Sequence, residues 1–330
     1  EMMTLPATAM RRKIIAPALC LACALVAAAL LLPAPAASGP VPVEHGSAAA
    51  FPLGGKLACV SYSGIDVLSE SGELLYSAEL PVDVPLCASG GETLLAVSEG
   101  AACLISSDGE LRELRGEGGI LCTAAAGRYS AVAREAELYS CAVTFYSDGE
   151  PLFRRYITSG ECRAVAVTED GQACLLLDGG ELLFLEADAE AARASLPGCR
   201  AVYAIDGGFC AETDGAAVFF SRSGEKLGEY GGHYSELRIY GGEAYACSAY
   251  SIVRLTCSGE AASEARFDIP ALRFGRGELP SAVFAGKTAV FGRDGGEIFS
   301  FETEYIPENV VTYKNSAAAV WQDAVEIHRK

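Results

Sequence analysis

One short turn recurs along this chain at nearly constant spacing, and it limits the chain to a small set of folds. It is written Ser71-Gly72-Glu73, Asp108-Gly109-Glu110, Asp148-Gly149-Glu150, Asp188-Ala189-Glu190, Ser223-Gly224-Glu225, Ser258-Gly259-Glu260 and Gly295-Gly296-Glu297. Successive copies lie 35 to 40 residues apart. A period between about 20 and 50 residues belongs to solenoids, propellers and other arrays of one supersecondary unit.

Between the turns run short apolar segments broken by glycine. In the second repeat Thr93-Leu94-Leu95-Ala96-Val97 is followed by Glu99-Gly100, then Ala101-Ala102-Cys103-Leu104-Ile105, then Ser107-Asp108-Gly109. Runs of this length separated by Gly with Asp or Ser read as strands joined by tight hairpins. Several consecutive apolar residues in a strand mean that both of its faces are covered. Radially stacked four-stranded sheets meet that requirement, because each blade lies between two others. The expected fold is therefore all-β, a β-propeller of four-stranded antiparallel sheets. A flat β-solenoid is the alternative, although its coils are shorter than this repeat.

An internal match fixes the register. Cys162-Arg163-Ala164-Val165 and Cys199-Arg200-Ala201-Val202 are the same position in consecutive repeats. The seven turns imply seven complete units. Val310 to Tyr313, Ala317 to Trp321 and Val325 to His328 read as three strands of an eighth. Pro42 to His45 is the expected source of its fourth strand. Eight blades are thus expected, with seven as the alternative.

Ahead of the repeats, Ile14 to Leu32 is an uncharged, mostly apolar run behind Arg11-Arg12-Lys13. It is long enough for a transmembrane helix, and the basic flank predicts a cytoplasmic N-terminus. Met10 reads as the natural start, with the residues before it not native. The predicted organisation is a cytoplasmic tail over 1–13, an anchor over 14–32, a Pro/Ala-rich spacer over 33–45 and a propeller over 46–330. The alternative is a signal peptide cleaved near Ala36, after Ala34-Pro35-Ala36. Both place the propeller outside the cytoplasm.

The net charge of −18 repels phosphate backbones, and no basic stripe interrupts it, so nucleic acid is not an expected partner. Thirteen cysteines could form a disulfide framework, but most stand inside apolar strand-like runs, as in Leu57-Ala58-Cys59-Val60. Cysteine in that setting is a small buried hydrophobe.

The repeat and its Asp-Gly-Glu-Leu turn resemble the quinoprotein-like (PQQ-like) propeller repeat. The plan of basic N-terminus, anchor, Pro-rich spacer and propeller resembles an uncharacterised family of bacterial single-pass membrane proteins. That resemblance implies architecture rather than a reaction. Quinone-dependent dehydrogenases of this type carry a tryptophan in most blades and stack their quinone on adjacent cysteines. This chain has Trp321 alone and no adjacent cysteine pair, so no cofactor is implied.

Local motifs for chemistry are weak. Ala285-Gly286-Lys287-Thr288 looks like the end of a phosphate loop, but Ser281 stands where that loop needs glycine. His45, His233 and His328 are not at metal-ligand spacing. Glu186, Asp188 and Glu190 alternate as calcium ligands could, yet no calcium-loop pattern surrounds them. No catalytic or metal residue is assigned. The candidate binding surface is Tyr230, His233 and Tyr234, in a glycine-containing connection with Tyr240, Tyr245 and Tyr250 nearby. Tyrosine beside glycine supplies amphipathic contact area at low entropy cost. Arg154 and Arg155 could add a cationic spot. The expected function is a binding or scaffolding module for an envelope protein or wall polymer. The alternatives are an enzyme with carboxylates gathered in the central channel and a small-ligand sensor.

Overall fold

The structure is a computed structural model and describes residues 41–43, 49–62, 64–81, 86–98, 100–322 and 324–330. All of them fall in one compact unit, Ser38–Lys330. The apolar run at 14–32 lies outside the described residues. Among the described residues no helix is long and apolar enough to cross a membrane.

Glycine-led hairpins dictate the local structure. The first blade has strands Ala49–Leu53, Lys56–Val60, Gly64–Leu68 and Leu74–Glu79, paired antiparallel in chain order. Its second and third strands are almost wholly buried, whereas its fourth alternates exposed and half-buried positions. A radial blade produces this gradient, because neighbouring blades cover its middle and solvent reaches its rim. Five more four-stranded sheets repeat the plan, with strands spanning residues 86–114, 120–157, 162–195, 199–230 and 273–302. We call these the second to sixth blades.

The remaining strands form one nine-stranded sheet. One half of it is Glu236–Tyr240, Glu243–Ser248, Ser251–Leu255 and Ala261–Arg266. The other is Asn309–Tyr313, Ser316–Val320, Ala324–Arg329 and Val41–Pro42. The two-residue strand Arg276–Gly277 joins the halves by pairing parallel with both inner strands. Six blades thus stand as separate four-stranded sheets, not the seven or eight expected from counting turns. The departure has a local cause: the chain entering the sixth blade leaves it after Phe274 and bridges the sheets on either side.

The first and last of the described strands meet. Val41 pairs with Val325 and Pro42 with Ala324, so the closing strand begins one residue before the expected Pro42 to His45. Pro42 lies at the outer edge of its sheet, where a missing N–H breaks no ladder. Val43 packs with Val311, Tyr313 and Ile327, and also with Leu57 and Leu68 of the first blade.

The repeated turns join third and fourth strands, as expected, but two are displaced by one residue. In the sixth blade Gly295 has the positive φ, of 85°, and Gly295 N–H donates to Gly292 O. Its turn is therefore Asp294-Gly295-Gly296. In the fourth blade Glu186 pairs with Ala189, leaving Ala187-Asp188 as the turn, with Ala187 at φ 52°.

Candidate functional site

In each blade the first and third turns open on one face of the disc. The second turns and the blade-to-blade connections open on the other. The first face is regular and heavily tied. Gly54 N–H donates to Gly91 O, Gly127 N–H to Gly90 O, Asp206 N–H to Gly242 O and Gly241 N–H to Gly277 O, so successive first turns are laced together.

Exposed apolar side chains on the outer fourth strands include Leu74, Leu75, Leu152 and Leu227, and those in turns and connections lie on the opposite face. Tyr62 is 63% exposed at a second turn of the first blade, and Leu138 is 88% exposed at the same turn of the third. Tyr250 occupies this turn in the nine-stranded sheet. Ile269, Leu272, Tyr305 and Ile306 lie in the connections on either side of the sixth blade, all exposed. Backbone bonds hold this arc together: Phe267 N–H donates to Tyr250 O, and Ala271 N–H to Ala249 O. The Arg273 guanidinium donates to Pro307 O and Glu308 O, fixing the second connection beside the first.

The third blade raises this face. Its second, third and fourth strands have 8, 9 and 8 residues, against 5, 5 and 6 in the first blade. Three extra residues lengthen the second strand by about 10 Å. Leu138 is at the hairpin tip, and the Tyr139 and Tyr156 rings meet in a tilted contact, 4.6 Å apart, behind it.

Tyr230, His233 and Tyr234 lie on the same face, between the fifth blade and the nine-stranded sheet. Their side chains do not behave alike. His233 is exposed, whereas Tyr230 and Tyr234 are half-buried and pack on Ile205, Phe219 and Leu237. The two rings are 6.2 Å apart. Gly232 is what permits this, since a Cβ there would meet the Tyr230 ring at 2.2 Å. Burial, then the Glu212 carboxylate, push the Tyr234 phenol up to about 12. Tyr240 and Tyr245 are core residues in edge-to-face contact. Of Arg154 and Arg155, the second is tied to an acid and the first meets a hydroxyl. Arg154 donates to Thr144 Oγ1, and Arg155 donates to Asp188 O and pairs with Glu190 of the next blade. Glu190 is committed to Arg193 as well.

The Arg155 bond belongs to a series that sequence reading missed. Tyr76, Arg112, Arg155 and Ser263, all on fourth strands, donate to backbone carbonyls in the third turn of the following sheet, at Ser106, Asp148, Asp188 and Arg293. Their spacing follows the repeat, but their side chains differ, so no residue pattern revealed them.

No protein-family model matches the chain, and no curated protein matches it in sequence. Solved structures do. BamB from Moraxella catarrhalis superposes with a TM-score of 0.59 at 11% identity, over 89% of this chain and 99% of that one. The C-terminal WD40 domain of Sif2 gives 0.59 at 10% identity, over 88% and 94%. PorZ of Porphyromonas gingivalis, a surface component of the type-IX secretion system, gives 0.50 at 13% identity, over 88% of this chain and 45% of PorZ. At such identities the likeness establishes a β-propeller and nothing narrower.

Proposed function

We propose that this chain is an extracytoplasmic, membrane-tethered propeller that docks another envelope protein on the face bearing Tyr62, Leu138, Tyr250, Ile269 and Tyr305. The observation that carries this reading is the concentration of exposed apolar side chains in the turns and connections of that face. Large exposed apolar patches rimmed by polar residues mark interaction surfaces. The similarity to a bacterial surface component of a secretion system supports an envelope setting. The tether is the run Ile14 to Leu32, and the acidic body suits a protein partner rather than nucleic acid.

The test is a photo-crosslinking residue placed singly at Tyr250, Tyr305 or Leu138 in the full-length protein in cells, with Glu110 on the opposite face as control. The expected result is one envelope protein captured from the first three positions and not from Glu110. Equal capture from both faces would sink the assignment.

A further inference from the structure

We propose that the central channel holds a small oxyanion, a carboxylate or phosphate compound, on the guanidinium of Arg276. This goes beyond the docking reading and concerns the opposite end of the disc. Both ends of the argument are geometric. The channel opens on the first-turn face as a cavity of about 1140 Å³, within reach of a small-molecule site. Arg276 lines it, and so does Phe51, whose ring lies 4.8 Å from the guanidinium carbon.

The segment bearing Arg276 is held in place by its neighbours. A Cβ on Gly275 would meet Ser281 Oγ at 2.2 Å, and one on Gly277 would meet Thr312 O at 2.0 Å. Gly277 has φ +120°, a conformation that glycine adopts and other residues rarely do. The buried Tyr240 hydroxyl donates to Gly275 O at 2.8 Å. Thr312 Oγ1 donates to Leu279 O at 2.7 Å and accepts from Leu279 N–H at 2.9 Å. Two glycines and these bonds aim one arginine into the channel. A backbone so over-determined at a break in an otherwise regular repeat is a mark of a functional position.

Arg276 is also a guanidinium of the lining that meets no acid among the described residues. Arg222 at the channel mouth pairs with Asp170 and Arg293 with Glu243, whereas Lys314 gives Glu278 its backbone N–H, so its ammonium is a second cation of the lining. Arg238, on the neighbouring inner strand, pairs with Glu236. Among the described residues, no carboxylate or carbonyl accepts from the Arg276 guanidinium. The contrast is Arg134, buried at 3% exposure, which donates to Gly100 O, Gly118 O and Leu114 O. Burial, and then the Arg238 charge, disfavour the charged form of Arg276, and a bound anion beside it would oppose both effects. Guanidinium presents a planar fork that matches carboxylate and phosphate.

The experiment is calorimetric titration of the full-length protein with citrate and, separately, inorganic phosphate, against sodium chloride at matched ionic strength. Wild type is expected to bind at least one of the two saturably, and the arm that binds identifies the oxyanion class. Arg276→Gln should weaken it by about ten- to a hundredfold, as loss of a charged hydrogen-bond partner does. Arg276→Lys keeps the charge without the fork and should fall between. Arg266→Gln, an exposed arginine paired with Glu264, should bind as wild type does. Thermal melts of each variant verify the fold. Absence of saturable binding to either anion, or equal binding by wild type and Arg276→Gln, would overturn the proposal. So would a loss of the same size in Arg266→Gln.

Discussion

The turn glycines serve two ends at once, and the residues around them show why this tripeptide recurs. In the first blade Ser69 N–H donates to Glu73 O, Gly72 N–H donates to Ser69 O, and Gly72 has φ 85°. Ser69 Oγ also accepts from Glu73 N–H at 3.0 Å, and Ser106, Ser221 and Thr256 do the same for Glu110, Glu225 and Glu260. The glutamate therefore contributes its amide to the turn and leaves its carboxylate outside. The glycine also sits against the preceding blade: a Cβ on Gly224 would meet the Phe184 ring at 2.6 Å and Ala192 Cβ at 2.8 Å. Gly224→Ala should cost about 2 kcal/mol or more from backbone strain and overlap, Ser221→Ala about 1 kcal/mol, and Glu225→Ala under about 0.5 kcal/mol. Chemical denaturation of the three variants checks that order, and a glutamate as costly as the glycine would refute it. The thiols give a second prediction at this scale. Cys257 is the exposed cysteine among the described residues, whereas burial holds the thiols of Cys174, Cys210 and Cys247 well above their ordinary range. Thiolate is the reactive form. Brief alkylation of native protein followed by peptide mapping should label Cys257 and spare those three until the chain is unfolded.

At the level of strands, legibility tracked backbone demand. The hairpins could be read because a positive φ leaves a glycine in the sequence. The splice at Arg276–Gly277 could not, because a two-residue parallel pairing has no period and its glycines look like ordinary loop residues. The Gly295-Gly296 doublet misplaced one turn because either glycine suits the position on sequence alone. The candidate surface was legible in part. Connections were expected to bear the binding residues, and the exposed side chains do lie there, but Tyr230 and Tyr234 turn inward while Tyr305 is 69% exposed. Whether a connecting tyrosine fills a gap between blades depends on the neighbouring volume, which has no signature in one sequence. The strand Ala324–Arg329 supplies a pH-dependent element. His328 stacks on Phe301 of the sixth blade with ring centroids 3.7 Å apart. Burial lowers its pKa below the ordinary 6.5, with Glu326 opposing the shift. The unfolded chain then binds more protons than the folded one between the two pKa values, so stability falls as pH drops below about 6.5 and is regained above it. His328→Gln should flatten the stability profile between about pH 7 and 5. A profile of unchanged slope in that variant would assign the dependence elsewhere.

On the scale of the whole molecule, the fold depends on joining residues that are distant in sequence. The inner strands and first turns form a ring of short-range contacts, each made between consecutive sheets. One seam joins residues far apart in sequence: Asn309–Tyr313 and Arg276–Gly277 meet Ala49–Leu53, and Val41–Pro42 pairs with Ala324–Arg329. One hydrophobic cluster combines them: Val43, Val311, Tyr313, Val320 and Ile327 pack with Ala50, Leu57 and Leu68. Closing so long a loop is entropically costly, but the cost grows only with the logarithm of its length, so a modest cluster suffices. Closure also covers sheet edges that would otherwise pair with other chains. A charge buried in that cluster should therefore open the ring. Val43→Asp is expected to lower stability by about 3 kcal/mol or more, since it buries an unpaired carboxylate. Its effect should extend beyond position 43, with hydrogen exchange speeding up in both Ala324–Arg329 and Ala49–Leu53 while the third and fourth blades stay protected. A substitution at the outer rim, Leu152→Asp, exposed on the third blade, should leave both strands as protected as in wild type. Uniform acceleration in all blades after Val43→Asp would mean that the disc unfolds as one unit and that closure is not a separate, weaker step.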